Sequence, residues 1–190
     1  MQGEQIMKQS KAYLQISNIQ FQNSIEQLLK QHFNQKIDLF WEDSLAMIIV
    51  YDCDSFVYRL KQAVQMIIND YAMVVSCFIV PKFDTLFLKY LSFIHNQVFT
   101  AFEFLLRNLS NEHILKDMQQ LLHSIKKEYL DTANVFINCN LNATEAAKEL
   151  YLHSNSFQYR LNQFYYTSGM DIKDFDTAIF LKLLFSSYHL

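Results

Sequence analysis

The chain has 190 residues, 51% of them hydrophobic and including 17 Phe and 11 Tyr, so it can bury enough apolar surface to order two small domains, and disorder is excluded. Two glycines, Gly3 and Gly169, stand at opposite ends and there is one proline, which excludes the clustered-glycine phosphate cradles of P-loop and dinucleotide-binding folds and predicts long helices joined by Asn, Asp and Ser turns. The net charge is −3 with no run of like charges, so phosphate binding would have to come from a local patch.

The first residues, MQGEQIMKQSK, carry no apolar leader segment, and secretion is not expected. Residues 19–33 place Ile19, Phe21, Ile25, Leu28, Leu29 and Phe33 near the helical period and predict an amphipathic helix. Two apolar runs, 37–41 and 45–51, flank Glu42-Asp43-Ser44 and predict a β-hairpin without an Asn-Gly turn. Asp52 and Asp54 follow; two nearby carboxylates suit Mg²⁺, but a solvated Asp52 and a helix cap from Asp54 or Ser55 describe them better. That cap would open a helix over 56–70 with Phe56, Leu60, Val64, Ile67 and Ile68 on one stripe.

YAMVVSCFIV, 71–80, is β-branched and continuous, as in a strand buried on both faces, and is far too short to span a bilayer. Together these segments give the order α-β-β-α-β. The three isolated cysteines, Cys53, Cys77 and Cys139, read as reduced thiols of a cytoplasmic protein, and the histidines lack the spacing of a zinc helix. No metal and no cofactor are expected. After Pro81, residues 83–109 have unbroken helical periodicity and predict one long helix, with Phe99, Phe102 and Phe104 in its core. Asn111 would cap a further helix with Ile114, Leu115, Met118, Leu121, Leu122 and Ile125 inside, and a domain boundary is expected within 110–125.

From 127 to 167 three short helices follow. The first ends in Asn138–Asn142, the second begins at Thr144 with Asn142 or Thr144 as cap, and the third starts at Ser154. Only Tyr151-Leu152-His153 separates the last two, the turn length of a helix-turn-helix. Ala146 and Ala147 permit close approach; Leu150, Leu152, Phe157 and Leu161 supply the buried face. Asn155, Ser156, Gln158, Tyr159, Arg160 and Asn162 are left outside, all able to hydrogen-bond to phosphates or base edges and none acidic. A Ser154 cap would leave the helix N-terminus pointing at an anion. His153 reads as a turn residue bonded to backbone rather than a general base.

AAKELYLHSNSFQYRL, the SGMDI segment and the apolar run AIFLKLLF together resemble the C-terminal helix-turn-helix domain of PucR-type bacterial transcription regulators, the group that includes the sugar-diacid regulator CdaR. The family pattern is kept at Ala146, Ala147, Lys148, Leu150, Leu152, His153, Asn155, Tyr159, Arg160, Leu161, Gly169 and Asp171, over about the last 60 residues. Relatives commonly carry arginine where this chain has Ser154 and Gln158, and further basic residues where it has Asn162 and Gln163. Residues 140–190 hold Lys148, Arg160, Lys173 and Lys182 against Glu145, Glu149, Asp171, Asp174 and Asp176. The family's upstream domain often resembles a degenerate diguanylate cyclase fold; no GGDEF-like signature is present, so no cyclase chemistry carries over.

The resulting expectation is an α+β, mostly helical chain. Residues 1–110 form a small α/β, regulator-like or sensor-like domain, and 111–190 a helical linker and a PucR-type helix-turn-helix. The resemblance implies a non-enzymatic cytoplasmic regulator that binds double-stranded DNA as a homodimer, with no membrane partner and no identified small-molecule effector. Lys148 and Arg160 would touch phosphates; Ser154, Asn155, Ser156, Gln158, Tyr159 and Asn162 would position the helix or read bases. An ion pair from Arg160 to Glu145 or Glu149 is the alternative for that residue. For the whole chain, the alternative is an interaction protein that keeps the fold without DNA affinity.

Overall fold

The computed structural model describes residues 9–187; the opening residues, on which the expectation about a leader segment rests, Gly3, and His189 near the other end lie outside the described residues. The chain is α+β. It divides into two compact units, split between Ala101 and Phe102.

The first unit is built on a sheet with the order β2-β3-β1-β4-β5. Its strands are β1 (Gln9–Ile16), β2 (Ile37–Glu42), β3 (Leu45–Tyr51), β4 (Val75–Val80) and β5 (Gln97–Thr100). Helix α1 (Gln22–His32) joins β1 to β2, and α2 (Phe56–Tyr71) joins β3 to β4. The first four strands thus follow the β-α-β-β-α-β order of ferredoxin-like folds, with β1 antiparallel to both β3 and β4. The period-2 alternation sends Ala12, Leu14 and Ile16 of β1, Ala46, Ile48 and Val50 of β3, and Val75 and Cys77 of β4 into one core. Ile25 and Leu29 of α1 and Leu60, Val64 and Ile67 of α2 close that core. Each of these large side chains contributes about 1.5–3 kcal/mol on burial.

The hairpin forms as expected, with Asp43 at φ 50° supplying the left-handed turn residue that Asn-Gly would otherwise provide. The apolar stripe of α2 is also as read. Its cap is not: Ser55 holds the N-cap position at φ 57° and makes no side-chain cap bond.

Three readings are corrected. Strand β1, the central one, is absent from the expected α-β-β-α-β order. The strand expected over 71–80 begins only at Val75, because α2 runs to Tyr71 and ends at Ala72 in the left-handed region, φ 48°. The single long helix over 83–109 is three elements: α3 (Thr85–Leu91), β5, and α4 (Ala101–Arg107). Asn96, at φ 54°, breaks the helix. Its amide donates to the Val75 carbonyl at 2.8 Å, and its Oδ1 accepts from the Val75 amide at 3.1 Å, which docks β5 parallel to β4. Phe99 is therefore a buried strand residue, while Phe104 is buried on α4.

The second unit is helical among the described residues. It contains α5 (Glu112–Gln119), α6 (Lys127–Asn138), α7 (Ala143–Glu149), α8 (Ser154–Ser168) and α9 (Phe175–Ser187). Asn111 caps α5 as expected, accepting from the His113 and Ile114 amides. Helix α6 packs on α7, α8 and α9. The closing helix α9 buries Phe180, Leu181 and Leu184, and Gln119 of α5 reaches the Leu184 carbonyl at 3.3 Å.

Candidate nucleic-acid interface

Helices α7 and α8 form the helix-turn-helix. Asn142 starts α7 by accepting from the amides of Thr144 and Glu145 at 3.1 and 3.2 Å. Ala146 and Ala147 are buried and let α7 sit close to α8, where Phe157 and Leu161 are buried in turn. The Phe157 ring meets Phe136 of α6 edge-on at 5.6 Å between centroids, which fixes the rotation of α8 about its axis.

The turn itself is set by backbone. Tyr151 takes φ 53°, a left-handed conformation that costs an aromatic residue on the order of 1 kcal/mol, and its side chain is 97% exposed. The Leu152 amide then bonds back to the Ala147 carbonyl at 2.8 Å. The N-cap of α8 is His153, not Ser154: its Nδ1 accepts from the Asn155 amide at 3.3 Å. The reading of His153 as a turn residue bonded to backbone matches this geometry; the reading of Ser154 as the cap is corrected, and Ser154 is the first helical residue. At the other end, Gly169 closes α8 at φ 73°, its amide donating to the Tyr165 carbonyl at 2.7 Å, a cap for which glycine carries no Cβ penalty.

Rotation and capping together leave Ser154, Asn155, Ser156, Tyr159 and Asn162 exposed on α8 and Gln158 and Arg160 half-buried, with Lys148 exposed on α7. Gln158 Nε2 donates to Asn162 Oδ1 at 2.8 Å, one turn along. Ser154, Asn155 and Ser156 occupy the first turn, where the amides at the N-terminal end of a helix favour an anion.

Residues 159 and 160 are engaged by a neighbouring helix. Arg160 pairs with Glu128 in the first turn of α6, its guanidinium 3.4 Å from the carboxylate, which corrects the expected partners Glu145 and Glu149. Next to it, the Tyr129 phenol interacts with the Tyr159 hydroxyl. Burial pushes the Tyr129 phenol up from its ordinary value, and the Tyr159 hydroxyl pushes it further, while Arg160 acts the other way. Glu149 instead accepts from the Cys139 thiol at 3.3 Å. Sequence spacing held no sign of Glu128 and Tyr129 as neighbours of the outer face, because the Arg160–Glu128 contact joins residues 32 apart along the chain.

Among the described residues no group of three His, Cys, Asp or Glu side chains is placed to hold a metal ion, and no helix is long and apolar enough to cross a membrane.

Residues 129–186, from the first turn of α6 into α9, match the family model of the PucR C-terminal helix-turn-helix domain. A Bacillus subtilis (strain 168) protein named YxkF, itself uncharacterized, is 41% identical over 68 residues, which cover 36% of this chain and 23% of that relative's length. Among solved structures, a regulator of polyketide synthase expression from Bifidobacterium adolescentis aligns over 97% of this chain and 81% of its own, at 12% identity and a TM-score of 0.45.

Proposed function

We propose that this chain, whose residues 129–186 form a PucR-type helix-turn-helix domain, is a CdaR-like, non-enzymatic transcriptional regulator that binds double-stranded DNA in the cytoplasm as a homodimer. The observation that carries the reading is the first turn of α8. Ser154, Asn155 and Ser156 are exposed there, on a helix whose rotation is fixed by the buried Phe157 and Leu161. A preset helix with polar, non-acidic side chains in its exposed first turn suits insertion into a major groove. In this reading Asn155, Ser156 and Tyr159 meet base edges, Ser154 and the helix N-terminus meet a phosphate, and Lys148 and Arg160 supply the cationic phosphate contacts. Gln158 and Asn162 act as a hydrogen-bonded pair on the flank.

Dimerisation follows from the economics of a single helix-turn-helix, which reaches useful affinity by reading two half-sites. Residues 111–190 would then be the linker and DNA-binding part, and 1–110 a regulator-like α/β domain.

Titration of fluorescent duplex DNA from the protein's own promoter region, at low and moderate salt, tests this. Binding should appear at low salt and weaken as salt rises. Arg160→Ala should weaken it across all sequences and lower the salt slope by about 1.8, about 0.9 for each copy of the dimer. A second reading, a self-pairing interaction protein without DNA affinity, is favoured by the pairing of Arg160 with Glu128. It prevails if a stable dimer shows no binding at low salt.

A further inference from the structure

We infer that Glu128 is a positioning residue that sets DNA affinity by competing with phosphate for Arg160, an inference that rests on the DNA-binding reading above. Arg160 is the only cation on α8, so the electrostatic anchoring of that helix passes through one guanidinium. That guanidinium is already matched to a carboxylate at 3.4 Å, with the Arg160 side chain 28% and the Glu128 side chain 46% exposed. The pair is thus open enough to exchange partners and close enough that a phosphate arriving at Arg160 meets a like charge.

The grip is structured rather than incidental. Consecutive residues of α6, Glu128 and Tyr129, face consecutive residues of α8, Arg160 and Tyr159. Tyr129 is buried and the Phe136–Phe157 contact locks the same two helices, so the carboxylate is carried on a rigid support. The Thr132 hydroxyl bonds the Glu128 carbonyl at 2.7 Å and ties down the turn that presents it. A cation also stands against Tyr129, with the Lys126 Nζ 5.7 Å from the ring centroid. Neutralising Glu128 therefore removes the carboxylate that faces Arg160.

The test is fluorescence anisotropy of the full chain with a fluorescein-labelled promoter duplex across a salt series, comparing wild type, Glu128→Gln, Arg160→Ala and the double variant. Glu128→Gln keeps the shape and sits at a half-exposed position, so thermal melting should show it folded. It should bind about two- to fivefold tighter per copy, the scale of a surface ion pair converted to affinity, with a salt slope steeper by up to about 1 per copy. Most of the gain should vanish in the Arg160→Ala background. Equal affinity of Glu128→Gln and a wild type that binds overturns the inference and leaves the DNA-binding reading intact. An undiminished gain without Arg160 also overturns it, since charge removal alone would then suffice. If neither protein binds at low salt, both readings fall; if only Glu128→Gln binds, the competition stands and DNA binding belongs to the released form.

Discussion

Cys77 shows how far one residue's surroundings reach into the behaviour of its unit. It stands in β4, fully buried in the core between the sheet and the two helices, and burial pushes its thiol far above the ordinary range. The unfolded chain releases the proton near pH 8.5 while the folded chain keeps it. Folded protein then binds more protons than unfolded, so stability is fully present below that pH and is lost as pH rises above it, by up to about 1.4 kcal/mol per unit. Trp41 makes this measurable: it is the sole tryptophan, on β2, with its indole N–H donating to Glu26 at 3.1 Å. Urea unfolding followed by Trp41 fluorescence should show stability of the first unit falling between about pH 8 and about pH 10. In Cys77→Ala the decline should be shallower, with only tyrosines such as the burial-raised Tyr13 still contributing. An unchanged slope in that variant would show that Cys77 does not carry the effect.

Among the elements, α7 is the one most dependent on its ends. Seven residues make fewer than two full turns, too short to persist on propensity alone. Asn142 satisfies two of its unpaired amides, and replacement by alanine should cost about 1 kcal/mol, whereas Asp should preserve most of the stability. Thermal unfolding by circular dichroism, with amide exchange at Ala146 and Ala147, reads this directly; a neutral Asn142→Ala would mean that packing against α8 alone holds the helix. The same elements show what a sequence exposes and what it hides. Amphipathic stripes in α1, α2 and α5, the hairpin and the two helices of the motif were legible because local periodicity and caps dictate them. Strand β1 was not, since in QSKAYLQI the core-facing Ala12, Leu14 and Ile16 alternate with Tyr13, buried on the opposite face, and the exposed Gln15. Nor was the break at Asn96, where helical spacing on both sides conceals a strand held by two long-range bonds to Val75. The polar outer face of α8 was legible residue by residue; its engagement by Glu128 and Tyr129 was not, because tertiary contact between α6 and α8 leaves no mark in local spacing.

At the scale of the whole molecule, charge limits what binding can look like. The net charge is −3, so long-range attraction to DNA is absent and affinity must come from contacts made at the surface of the motif. Each copy brings two cations to that surface, Lys148 on α7 and Arg160 on α8, and the second of these is shared with Glu128. Two copies on a pseudo-palindromic site would neutralise about four phosphates, which sets the slope of log affinity against log salt near −3.6, about 0.9 per contact. Nonspecific binding should then be weak at moderate salt, and discrimination should come from Asn155, Ser156 and Tyr159 rather than from the backbone contacts. Anisotropy titrations over a salt series with promoter and scrambled duplexes measure both quantities. A slope beyond about −7 would require cations from outside α7 and α8, with Lys126 and Lys127 at the start of α6 the first to replace. A slope near −2 would indicate one copy on the DNA and remove the homodimer from the binding step.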